Sequence, residues 1–246
     1  MPFAALLGVA VFIVATKGGR EARTAESLLP SLDVTASWLG LGVDQVSLTG
    51  HRFTPDGDIF DALQLDRQRL LIGFDTAGAR ARIEKLAWVA SVDIVRDYPG
   101  RIDVRVTERT PFAVWRKGER EFLIDRTGRV LQAVPMGSVA NLPRLAGDGA
   151  EHEAGTLLTL VGRHPGLAQR FASAERVGGR RWRIVTNNGT RLELPAEGEA
   201  MALETLAASG ELDRILAGGS SVVDLRAKGR IAVRSASLPQ AGGGAR

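Results

Sequence analysis

Apolar and polar residues alternate with period two in several short runs of this chain and follow helical spacing in others, and the order of those runs predicts the fold. Val46 and Leu48 alternate with Gln45, Ser47 and Thr49, the pattern of a half-buried strand, and Gly50 ends it. Thr54 followed by Pro55 has the grammar of an N-cap with proline at the first helical position, and Ile59, Phe60 and Leu63 supply an apolar helix face. After a loop through Leu70, Ile72 and Phe74, Asp75 is placed to cap a second helix. On it Ala79, Ile83, Leu86 and Ala87 share one face, while Arg80 and Glu84 pair at i,i+4 on the other. Val92 and Ile94 form the next inward set, Tyr98, Pro99 and Gly100 make a turn, and Ile102, Val104 and Val106 alternate with Asp103, Arg105 and Thr107. This β-α-α-β-β order predicts a three-stranded sheet with two helices on one side, an arrangement that buries both amphipathic faces.

A second unit follows. Phe112, Val114 and Trp115, then Phe122, Leu123 and Ile124, then Val130 and Leu131 form short β-runs, separated by Lys117-Gly118 and by the Asp125-Arg126-Thr127-Gly128 turn. The meander is expected to pause from Pro135 to Gly149. Leu157 to Val161 and Leu167 to Phe171 read as helical, interrupted at Pro165 and Gly166. Trp182, Ile184 and Val185 lead through Asn187, Asn188 and Gly189 to Leu192 and Leu194, a hairpin with a strong turn signal. Glu197 to Leu216 reads as a helix carrying Met201, Leu203, Leu206 and Ala207, with a break at Gly210. Val222 to Leu225 and Ile231 to Val233 close the unit as strands, and the Gly/Ala-rich end is expected to be disordered.

At the N-terminus Phe3 to Ala15 is an uninterrupted apolar run, followed by Lys17 and Arg20. It is shorter than the roughly 17–25 residues a spanning helix needs, and no basic region precedes it as a signal peptide requires. With no polar face to orient it on a soluble core, we read it as the back half of a transmembrane helix whose front half lies upstream. Composition adds bounds. The chain has 246 residues, 44% of them apolar and 24% charged, and its net charge is only +4, so nucleic-acid binding has little support. The absence of cysteine excludes disulfides, thiolate metal sites and cysteine nucleophiles.

Candidate chemistry is sparse. His51, His152 and His164 lie far apart, form no HxH or HExxH spacing, and read as solvated loop residues. No GxSxG elbow, GxGxxG or P-loop follows a strand. Gly178-Gly179 before Arg180-Arg181 could cradle a phosphate but reads better as a turn, and Asp56, Asp58 and Asp61 suit a helix N-terminus. We therefore expect no catalytic residue, no metal and no cofactor, and a protein that is not an enzyme.

Several segments carry a family resemblance. The opening VSLTGHRFTPDGDIFDAL, the block WVASVDIVRDYPGRIDVRVTERTPFAVW, the strand pair FLIDRTGRVL and the closing VVDLRAKGRIAVR together resemble the bacterial cell division proteins of the FtsQ family, called DivIB in other lineages. The match spans roughly residues 43–234. What the resemblance implies is an α+β protein: a transmembrane segment (1–17), a juxtamembrane linker (18–42), a membrane-proximal POTRA domain (43–110), a mostly antiparallel β domain with helices (111–236) and a disordered tail (237–246). It further implies a single-pass inner-membrane protein whose C-terminal domains face the periplasm at the division septum. The implied partners are divisome membrane proteins, FtsB and FtsL first and FtsW, FtsI, FtsK and FtsN beyond them, with no nucleic acid and no small-molecule substrate.

The family's partner-binding strand falls on Ala227, Lys228, Gly229, Arg230, Ile231, Ala232, Val233, Arg234 and Ser235, and its partner-facing arginine falls on Arg226. Its second basic contact falls on Arg180 and Arg181. Positions that are aromatic in well-known members correspond to Ala227 and Ser235, so backbone pairing and charge are expected to carry this interface. The residues agree with such a role, because Arg226, Lys228, Arg230 and Arg234 concentrate positive charge on a terminal strand whose open edge can accept another chain. The same charges also suit gatekeepers against aggregation. Proline at Ala232 is expected to remove one donor toward a partner. Two rival readings differ in their signatures: an accessory of outer-membrane protein assembly needs tandem repeats or a barrel, and a cytoplasmic binding module needs the N-terminal apolar run to be core.

Overall fold

The computed structural model describes residues 42–65, 71–227 and 229–235. The expected transmembrane segment, nearly all of the linker, Leu70, Lys228 and the expected disordered tail lie outside the described residues. Among those described, no helix is long and apolar enough to cross a membrane. The chain divides into two compact units. One takes the chain up to Glu84 together with Ser91–Val106, and the other takes Lys85–Ala90 together with everything from Thr107.

The first unit holds β1 (Gln45–Thr49), α1 (Asp56–Leu63), a 3₁₀ turn (Leu71–Gly73), α2 (Thr76–Ile83), β2 (Val89–Asp97) and β3 (Arg101–Glu108). Its sheet runs β1-β3-β2, with β1 parallel to β3 so that Val46 meets Ile102 and Leu48 meets Val104. Central position explains why Ile102, Val104 and Val106 are buried. Ile59 and Leu63 of α1 and Ala79 and Ile83 of α2 are buried as their spacing predicts. Gly50 ends β1 at φ +83, and a Cβ there would stand 2.1 Å from the Val106 carbonyl oxygen, so the strand stop is also a steric requirement.

Two local expectations in this unit change. Pro55, not Thr54, occupies the cap position of α1, in extended conformation and with no side-chain cap, while Thr54 is buried. The ring fixes φ, and Asp56 and Asp58 place negative charge in the first turn instead. Asp75 does cap α2, its Oδ1 accepting the Gly78 N–H at 2.9 Å. That helix stops at Ile83, however, so Leu86 and Ala87 lie beyond it on the way to the buried Trp88 and Val89. Arg80 stands 3.8 Å from Asp93 of β2.

The second unit holds β4 (Ala113–Lys117), β5 (Arg120–Ile124), β6 (Val130–Val134), β7 (Arg144–Ala146), α3 (Ala150–Gly162), α4 (Pro165–Arg170), β8 (Phe171–Val177), β9 (Arg181–Thr186), β10 (Arg191–Glu193), α5 (Glu199–Ala208), α6 (Glu211–Ala217), β11 (Ser221–Asp224) and β12 (Ala232–Ser235). Its nine strands form one sheet in the order β12-β11-β10-β9-β8-β7-β4-β5-β6. Hairpins make the antiparallel pairs. Three pairs are parallel: β7 with β8 across α3 and α4, β10 with β11 across α5 and α6, and β4 with β7, joined through the β5–β6 hairpin without a helix. Both crossovers place their helices on one face, where Leu157, Leu203, Leu206 and Leu212 join Trp182, Ile184, Leu192 and Val223 in the core.

Two strands depart from the sequence reading. The expected pause at 135–149 contains β7, and Phe171 opens β8 rather than closing a helix. Pro165 begins α4 at its first turn, as proline can, instead of interrupting a longer helix. The expected break at Gly210 separates α5 from α6 at φ +71.

Candidate partner-binding edge

The nine-stranded sheet has two ends, and they differ. At β6 the pairing with β5 shifts register, so that Ile124 meets Val130 and Leu123 meets Gln132, leaving Leu131 as an extra residue, and Pro135 follows the strand at once. A bulge and a proline are devices that blunt an open edge. β12 has neither. All four of its residues are exposed, and among the described residues it pairs only with β11.

Which backbone groups of β12 are open follows from the neighbouring ladder. The Leu225 N–H donates to the Glu193 carbonyl at 2.9 Å, so Val223 and Leu225 turn their backbone groups toward β10. Alternation along the strand sends those of Val222 and Asp224 toward β12, where they face Arg234 and Ala232. Val233 opposes Val223 as a non-hydrogen-bonded pair, and its N–H and C=O point to the open side, as do those of Ser235. This corrects the expectation for Ala232: proline there would remove a bond to β11, not one toward a partner.

Side chains divide between two faces in the same way. Val223 and Leu225 are buried on the helix-covered face, and Val233 continues that row at 50% exposure with Ile231 close by at 42%. On the other face Arg183 opposes Glu193, Glu193 lies beside Asp224, and Asp224 opposes Ala232. Two adjacent carboxylates repel across a ladder, and each is met by an arginine. Arg183 donates to Glu193 at 2.5 Å and to Glu175 at 3.0 Å. Arg226 donates through Nε to Asp224 Oδ1 at 2.9 Å and through Nη2 to Oδ2 at 2.5 Å, while its backbone N–H reaches Oδ1 at 3.0 Å. Chiefly through those side-chain bonds, Arg226 holds the Asp224 carboxyl down at about 2 against partial burial; its backbone N–H and the charges of Arg226 and Arg234 add to the lowering.

Arg181, Arg183, Arg226 and Arg234 surround a shallow depression of about 220 Å³ with Glu193, Asp224, Val222 and Ala232. Its cations outnumber its anions. Arg183 and Arg226 are matched by the two carboxylates, whereas the buried Nε of Arg181 and the Oε2 of Glu193 have no hydrogen-bond partner among the described residues. The arrangement can take a carboxylate at the polar face of an added strand, and it offers no nucleophile or acid–base pair.

The structure thus gathers some of the sequence-derived residues and not others. Arg226, Ala232, Arg234 and Arg181 line one depression; Val233 and Ser235 supply the open backbone; Arg230 and Ile231 lead into the strand. Ala227 and Gly229 form the preceding turn, Gly229 at φ +70. Lys228 lies outside the described residues. Arg180 sits in the exposed turn before β9 and does not line the depression. Sequence reasoning missed Arg183, Glu193 and Asp224. The alternation that placed Trp182 and Ile184 inward puts Arg181 and Arg183 together on the opposite face, and that signal was available.

The histidines are not uniformly solvated. His51 Nε2 lies 2.6 Å from Asp56 Oδ1 with a side chain only 16% exposed, and the Nε2 of His164 is buried; His152 is exposed, on α3. Among the described residues no group of three metal-ligating side chains comes together.

Comparison with known proteins adds identity to this geometry. The family model "Cell division protein FtsQ/DivIB, C-terminal" matches residues 113–226, and "POTRA domain, FtsQ-type" matches residues 41–109. A cell division protein FtsQ of Caulobacter vibrioides is 32% identical over 230 residues, 94% of this chain and 76% of that protein. One from Agrobacterium fabrum is 32% identical over 200 residues, covering 81% and 63% of the two chains, and one from Rhizobium meliloti is 33% identical over 201 residues, covering 82% and 65%. Among solved structures, the major extracytoplasmic domain of the cell division protein DivIB from Geobacillus stearothermophilus covers 44% of this chain and 97% of that one, at 19% identity and a TM-score of 0.28.

Proposed function

Because this chain belongs to the FtsQ/DivIB family of bacterial cell division proteins, we propose that it is a non-enzymatic, membrane-anchored scaffold that recruits divisome proteins by strand addition at β12. Its folded units then lie in the periplasm, and its first partners are the FtsB and FtsL proteins of the same cell, through which septal wall synthesis is joined. The observation that carries this reading is the asymmetry of the sheet's ends: β6 is bulged and followed by proline, whereas the described β12 carries no bulge, is exposed and borders a depression in which arginines outnumber carboxylates. The matched C-terminal model covers residues 113–226, so β12 lies beyond it and its assignment rests on this geometry.

The partner strand would bond to the N–H and C=O of Val233 and Ser235. On one face its side chains meet Arg234 and the basic depression, which favours a carboxylate; on the other they meet Val233 and Ile231, which favours an apolar residue. Valine at 233 tests this directly. Val233→Pro removes an outward donor without touching the β11 ladder, and it is expected to keep the fold and weaken capture of the FtsB protein from the same genome by roughly tenfold. Ala232→Pro is expected to loosen β12 itself, visible as a lowered unfolding temperature. A folded Val233→Pro protein that binds undiminished would show strand addition to be wrong.

A further inference from the structure

Asp224 stands where a carboxylate should be unwelcome. It borders the depression that faces an incoming acidic chain, it lies beside Glu193 in the ladder, and it reduces the positive charge that would attract a partner. If charge alone governed this site, Asp224 would weaken it. Its geometry indicates another role. It grips Arg226 along the Nε–Nη2 side of the guanidinium and holds the same residue's backbone N–H, so side chain and main chain of Arg226 are fixed by one carboxylate. Arg226 lies two residues past the end of β11, beyond the ladder, and its side chain is 48% exposed. Without the clasp it would be a mobile surface arginine. With it, Nε–H and one Nη2–H are engaged, while the two Nη1 hydrogens and the second Nη2 hydrogen remain available at the far edge of the guanidinium.

We propose that Asp224 is a positioning residue that orders Arg226 to receive a partner carboxylate end-on, and that Arg183 does the corresponding work of neutralising Glu193 so that the two adjacent carboxylates are tolerated. This rests on the strand-addition reading. The clasp fixes a long side chain before binding, and so spares the association part of the entropy of immobilising it, worth up to about tenfold in affinity. Selectivity follows as well. Because Arg226 presents one edge in one orientation, an acidic group at a single level of the added strand is favoured over acidic character in general.

The test is affinity for the FtsB protein of the same genome, measured with the full chain across a range of salt. Asp224→Asn raises the positive charge of the face. A charge role predicts tighter binding at low salt; positioning predicts binding weaker by about fivefold or more, persisting at high salt where screening removes the charge term. Asp224→Glu keeps the charge and moves the carboxylate by one methylene, and it is expected to weaken binding too. Arg226→Ala in the Asp224→Asn background is expected to cost little beyond either single change, the mark of residues acting as a unit. Tighter or unchanged binding by both Asp224 variants, or additive losses with Arg226→Ala, overturns the positioning role while leaving strand addition standing. Undiminished binding by a folded Val233→Pro protein overturns both.

Discussion

Asp224 ties the stability of the free protein to acid, and the sign can be worked out from its neighbours. Its carboxyl is held at about 2 in the fold, chiefly by Arg226, and returns to roughly 3.9 in the unfolded chain. A depressed value means that its contribution is complete above pH of about 4 and is lost as pH falls through 4 toward 2. Asp125 adds in the same direction: burial pushes it up, but the Thr127 hydroxyl, the Arg109 guanidinium at 2.7 Å and the backbone N–H groups of Arg129 and Thr127 together bring it below the ordinary range. Carbon-13 titration of the Asp224 carboxyl is expected to show a midpoint near 2, and Arg226→Ala should move it upward toward the usual carboxylate range. A midpoint unchanged by that substitution would mean that the clasp is not what depresses it.

Strands whose outward positions are polar and whose inward positions are branched were legible from alternation alone: β1, β3, β9 and β10 fall where Val46, Ile102, Trp182 and Leu192 predict them. β7 and β8 were not. β7 is three residues with one buried leucine, and β8 places only Ala174 fully inward, so neither carries a period-two hydrophobic signal; β7 is held by non-local parallel pairing on both sides, and β8 by β7 on one side and the β9 hairpin on the other. The candidate edge was half legible, for a related reason. Its cations stand out in the sequence, but Glu193 and Asp224 join them only through cross-strand register. Turn chemistry was easier to read, and Gly50 illustrates it. Gly50→Ala must place a Cβ against the Val106 carbonyl at positive φ, and is expected to cost about 2 kcal/mol of stability in denaturant unfolding. A cost within about 0.5 kcal/mol, as for an ordinary surface change, would mean that β1 can shift to make room.

At the scale of the whole molecule, the long sheet is a platform that presents one finished end and one unfinished end. Helical crossovers bury its interior face, hairpins set its register, and the last described strand stands at the end of the sheet, so the proposed partner strand would extend the sheet without rearranging its core. Strand addition would affect alternate residues of β12 differently. Amide hydrogen exchange of the full chain, with and without the FtsB protein of the same genome, tests it most directly. Ala232 and Arg234, already bonded to β11, are expected to change little, while Val233 and Ser235 should gain strong protection on binding. Unchanged exchange at Val233 and Ser235, with protection appearing instead on β6 or in the first unit, would contradict recruitment at the β12 edge.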